Sequence, residues 1–170
     1  MDHHSIAEGA CAGYCLGAII ATLAPGSYTA VLAGKGGATG IGLVEVYDLE
    51  PAASSTLGNV STRGFVGTGD NVIIGGLIIG DGDTPIVVLR AIGPTLASSG
   101  IGNPLLDPTI ELHDGNGAVI GFNDNWKDSQ EQAVSATQIA RSMTARQPSS
   151  RSSRPETTRP SFAAKVTRAA

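Results

Sequence analysis

The sequence predicts an all-β protein, an antiparallel β-sandwich with jelly-roll-like character. Three observations carry that expectation. Aromatic residues make up only 4% of the chain while glycine occurs 23 times, which suits many short strands and tight turns better than a helical bundle. About eight short apolar or alternating runs are punctuated by Gly, Pro, Asn and Asp. The stretch Asp114-Gly115-Asn116-Gly117 lies between two such runs, a strong hairpin signal.

Residues 18–23 read as a first strand, Pro25-Gly26 as a turn, and residues 28–33 as a second strand. Residues 34–42 form a glycine-rich turn. In residues 43–49, Val44 and Val46 fall on one face and Glu45 and Tyr47 on the other, the period of a half-buried strand. Residues 51–55 are a small linker. Residues 60–66 and 72–79 are further strands, separated by the turn at 67–71. Gly75-Gly76 inside the second of these suggests a bulge or close backbone packing. Asp81-Gly82-Asp83 is a turn. Residues 86–92 are apolar on both faces and should be deeply buried. Gly93-Pro94 ends that strand, and residues 95–108 are loop-like. Residues 109–113 and 118–122 form the hairpin, and residues 128–139 are the one plausible helix.

Charge divides the chain. Before Arg141 the only basic residues are Lys35, Arg63, Arg90 and Lys127. From Arg141 onward, seven Lys or Arg face Glu156 alone. Such a tail can bind nucleic acid through its phosphates, but a solvated, disordered segment has the same composition. The expectation is disorder over 141–170 and no nucleic acid partner. Cys11 and Cys15 do not make a C-x-x-C pair and lack the further ligands that zinc needs. Residues 10–24 are apolar, but no Lys or Arg precedes them and Pro25 follows Ala24, so no signal peptide is expected here. That stretch is also too short for a membrane span.

Two motifs bear on chemistry. Lys35-Gly36-Gly37-Ala38-Thr39-Gly40-Ile41-Gly42 resembles the glycine turn of NAD(P)-dependent short-chain dehydrogenases, with glycines at 36–42. Against that alternative, Lys35 stands in the first motif position and residues 43–51 are β-patterned and end at Pro51. A Tyr-x-x-x-Lys pair is also missing: Tyr14, Tyr28 and Tyr47 are followed four residues on by Ala18, Leu32 and Pro51. No other catalytic constellation emerges, and His113 reads as a surface strand residue. The second motif is a set of oxygen-bearing side chains in two turns: Asp114, Asn116, Asn123, Asp124, Asn125 and Asp128. Calcium takes such carboxylate and amide oxygens, although Asn, Asp and Gly also favour turns without any metal.

The wording of several blocks resembles a repeat of large secreted or surface-attached bacterial proteins. These are STRGFVGTGDNVIIGGLIIG, VVLRAIGPTLA, LLDPTIELHDGNGAVIGFNDNW and AIIATLAPGSYTAVLAGKGGATGIGLVEVYDL. The last two are also similar to pre-peptidase C-terminal (PPC-type) β-sandwich domains. The resemblance spans about residues 18–140. It implies a non-enzymatic extracellular or cell-surface module for display, adhesion or spacing. Its implied partners are neighbouring repeats and a cell-surface polymer or protein.

In the family the APGSYT block follows the NDNW block, whereas here it comes first. The expected organisation is therefore an unstructured start (1–17), the end of one repeat (18–50), the beginning of the next (51–140) and the basic tail. The sandwich is then incomplete or permuted. The tail fits the same scheme. Residues 154–167 read RPETTRPSFAAKVT, and one permitted codon choice, entered one base earlier, encodes APGNYTAIVRGKGD. Residues 24–37 read APGSYTAVLAGKGG, so the tail is expected to be the next repeat in a shifted frame.

Overall fold

The computed structural model describes residues 16–49, 60–80 and 84–137. Eight strands form within them: β1 (Gly17–Thr22), β2 (Gly26–Gly34), β3 (Gly40–Asp48), β4 (Val60–Val66), β5 (Ile73–Ile79), β6 (Ile86–Ile92), β7 (Pro108–His113) and β8 (Val119–Asn123). They make two four-stranded sheets, ordered β1-β6-β3-β4 and β5-β2-β7-β8. The expected sandwich is present, and every pairing within the two sheets is antiparallel.

The pairing has a simple logic. With β8 counted first, the chain is a folded ribbon of antiparallel couples: β8 with β7, β1 with β6, β2 with β5 and β3 with β4. Rolling that ribbon adds the pairs β3–β6 and β2–β7. This is jelly-roll winding, with the strand that would come first placed last in the sequence. The fold is thus a permuted jelly roll of eight strands.

Period-two patterning sets the faces. Val44 and Val46 on β3, Leu77 on β5 and Ile110 and Leu112 on β7 point into the space between the sheets. Strand β6 is buried on both faces, as the apolar run of residues 86–89 predicts, and Arg90 is buried with it. Val87, Leu89 and Ala91 enter the main core. Val88 and Ile92 enter a second core on the outer side of the same sheet, with Leu16, Ala18, Leu96, Trp126 and Val134.

That second core explains the main departure from the sequence reading. In place of one helix over 128–139 there are two short ones, α1 (Trp126–Ser129) and α2 (Glu131–Ala136). Gln130 breaks them apart with φ −126° and ψ 22°. Trp126 and Val134 both enter that second core, and the bend between the two helices turns the Gln130 amide onto Ile20. Gly75-Gly76 makes no bulge, because the β2–β5 register runs through it without a shift. The irregularity lies instead between Leu112 and His113, where β7 meets β8.

The glycine turn is shorter than expected. A 3-10 turn at Lys35–Gly37 follows β2, and β3 already begins at Gly40. Gly34 is required there, since a Cβ would lie 1.8 Å from the Ala38 carbonyl oxygen. The loop after β6 also gains structure. A 3-10 turn spans Pro94–Ser99, and beyond it the Ile41 N–H donates to the Asn103 oxygen and the Leu105 N–H to the Ile41 oxygen, both at 2.8 Å. The unstructured start expected over 1–17 ends too late, since Leu16 is buried in the second core and Gly17 opens β1. The rest of that start, the 51–55 linker, the 81–83 turn, the last residues of the expected helix and the basic tail lie outside the described residues.

Candidate functional site

The β8–α1–α2 corner gathers the largest set of polar side chains that the sequence singled out. Asn123 ends β8 and is buried. Its Oδ1 accepts from the Ala18 N–H at 3.0 Å, and its Nδ2 donates to Ser129 Oγ at 3.0 Å and to the Asn125 carbonyl at 3.4 Å. Asn125 caps α1, its Oδ1 accepting from the Lys127 N–H at 3.4 Å. Asp124 forms an ion pair with Lys35 at 2.6 Å, which joins this corner to the glycine turn. The Asp124 carboxylate raises the Lys35 pKa, chiefly by the hydrogen bond and then by its charge. Asp128 lies in the first turn of α1, where a carboxylate favours the helix dipole.

Asp114 and Asn116 lie elsewhere. They occupy the β7–β8 turn, at the opposite end of β8 from Asn123, about 13 Å or more of strand away. The Asp114 carboxylate accepts from the N–H groups of Asn116 and Ala118, both at 2.9 Å. Those donors, Ala118 first, lower its pKa below 3.8. The six oxygen-bearing residues are therefore not one constellation. Among the described residues no three His, Cys, Asp or Glu side chains come together as a metal-binding group.

The hairpin carries a second polar group that the sequence reading left as a plain surface residue. His113 Nε2 lies 2.9 Å from Glu111 Oε2, and Nδ1 lies 3.2 Å from the Gly117 carbonyl oxygen. The Gly117 carbonyl is the larger cause of a raised His113 pKa, and Glu111 adds to it. Both ring nitrogens are thus engaged inside the hairpin. His113 and Asp114 border a shallow, open recess with Ser27, Thr29, Val31 and the Gly115 and Gly117 backbone.

Two further polar contacts had weak or no sequence signals. Arg90 is buried on the outer face of β6, and its Nε donates to Glu45 Oε2 at 2.9 Å. Its guanidinium also stacks 5.5 Å from the Tyr47 ring centre. A lone Arg in an apolar strand was the available hint. Gln130 binds both backbone groups of Ile20, accepting from its N–H at 2.9 Å and donating to its oxygen at 3.1 Å. Nothing in a polar segment distinguishes that glutamine beforehand.

The glycine turn does not open a helix. It runs into β3, so no helix N-terminus stands behind it to hold a pyrophosphate. No helix among the described residues is long and apolar enough to cross a membrane. No protein-family model, curated protein or solved structure matches this chain.

Proposed function

We propose that the chain is a non-enzymatic β-sandwich module of an extracellular tandem-repeat protein, serving display, adhesion or spacing. The observation that supports it most is where the ribbon is open. The chain passes from β8 through α1 and α2, and β1 begins beside them, with the Trp126 N–H bonded to the Leu16 oxygen at 3.0 Å. In a tandem array the β4–α2 block would run directly into the next β1, and the open point would move to between β3 and β4. The strands β1–β3 then complete a sandwich begun by β4–β8, whichever copy supplies them. Side chains capping turns and sealing edges suit a structural module, and neighbouring repeats are its first partners. A cell-surface polymer or protein is the second class.

The test is a reordered polypeptide in which residues 60–137 precede residues 16–49 across a short linker. The reading expects a cooperative β-sheet unit at least as stable as the native order. A reordered chain that stays unfolded, while the native order folds, would remove the repeat phase from the account. Saturable binding of NAD(P) by the native chain would favour the dehydrogenase alternative instead.

A further inference from the structure

The four sheet edges are treated differently. Edge β1 is sealed by the Gln130 and Asn123 amides, which bond the Ile20 and Ala18 backbone. Edge β4 carries Arg63 among Ser and Thr. Edge β8 is apolar too, but it is only five residues long and its pairing with β7 is irregular between Leu112 and His113, both of which blunt an edge. Among the described residues, edge β5 has none of these protections. It reads Ile-Ile-Gly-Gly-Leu-Ile-Ile, without charge or proline, and Ile74 and Ile78 are 61% and 73% exposed. Natural edge strands are usually blunted by charges, proline or a cover, because their free backbone groups recruit another strand.

We propose that β5 is a self-association edge whose partner is β5 of a second copy, paired antiparallel about Gly76. The strand is self-complementary under that two-fold. Each Ile74 meets Ile78 of the second copy on the outer face. On the inner face Ile73 meets Ile79, and Leu77 meets Gly75, large against small. Gly76 meets Gly76. An uncharged strand sets no like charges opposite each other and offers nothing to a charged partner, so an apolar strand of the same kind is the occupant that fits. The monomer gives no packing reason for Gly76, where a Cβ would find nothing within 4 Å. Glycine within a strand commonly marks close backbone approach. The result is a single eight-stranded sheet across an isologous dimer. One strand pair is a small interface, so association is concentration-dependent. This inference does not depend on the repeat reading.

Sedimentation of the full chain across micromolar to millimolar concentration tests it. The mass should rise reversibly from 17.2 kDa towards twice that value. Ile78→Lys should remain monomeric at the same concentrations with unchanged circular dichroism and melting. A second test uses Gly76→Cys in a Cys11→Ser, Cys15→Ser background. Directly opposed residues in an antiparallel pair have Cα atoms about 5 Å apart, within disulfide reach. Gly76→Cys should therefore oxidise to a covalent dimer much faster than Gly102→Cys in the same background, since a Cβ at Gly102 also meets nothing. A wild-type chain that stays at 17.2 kDa throughout would overturn the proposal. So would a lysine variant that associates like wild type, or equal cross-linking at the two cysteine positions.

Discussion

The Gln130 side chain stands in for a neighbouring strand along Ile20, giving a donor and taking one at 3.1 and 2.9 Å. Sheet edges expose paired donors and acceptors that water or protein must satisfy, and one primary amide supplies both. Gln130→Ala is expected to cost about 1–2 kcal/mol, because two partly buried backbone groups lose their partners. Denaturant titration measures that loss, and hydrogen exchange should show the Ile20 amide losing protection first. Unchanged exchange at Ile20 would mean that the amide contributes little to the edge.

Arg90 and Glu45 should behave as a pair. Arg90→Ala leaves a carboxylate that is only 15% exposed without its main partner, and a loss of about 3 kcal/mol or more is expected. Replacing both, as Arg90→Met with Glu45→Leu, should recover most of it, since matched apolar groups need no desolvation of charge. A double-mutant cycle by chemical denaturation checks both statements. Additive losses would show that the two side chains act independently.

Acidity should act on the hairpin from two sides. The His113 pKa is raised above 6.5 in the folded chain, so its contribution is full below that value and fades as pH rises through the folded pKa. The Asp114 pKa is lowered below 3.8, so its contribution is present above that value and fades as pH falls through the folded pKa. The melting difference between wild type and His113→Gln should therefore be larger at pH 6 than at pH 9. The difference for Asp114→Ala should shrink as the medium approaches pH 2. A pH-independent gap in either series would assign the effect to packing.

Calcium would have to compete for oxygens already in use. Lys35 holds Asp124 at 2.6 Å, and the Asn123 and Asn125 side-chain oxygens accept backbone N–H groups. The melting temperature is expected to agree within about a degree between millimolar calcium and EDTA. A clear rise with calcium would place a site at the 123–128 turn, and Lys35→Gln should then enlarge that rise.

Strands were legible because their signals are local. Val44 and Val46 alternate with Glu45 and Tyr47, and residues 86–92 carry a run that could only be buried on both faces. The helix was misjudged because its reason is distant: Gln130 bends the chain to meet Ile20, 110 residues away in sequence. The candidate ligand set failed to converge for a related reason. Sequence proximity suggested one cluster, but a strand sends Asp114 and Asn123 to opposite ends of β8. Residue types at turns do not say which turns share a corner.

The rolled ribbon also governs the order in which the protein can be made. Gly17 must find Ala91, and Ala30 must find Leu112, so β1 and β2 leave the ribosome long before these partners exist. Only the β3–β4 and β7–β8 couples join consecutive strands. A chain dominated by such distant pairings folds slowly. Within one copy the first two strands wait, apolar and unpaired, whereas a β4–β8 block synthesised ahead of them would receive them at once, so tandem order would shorten the interval in which a holding chaperone matters.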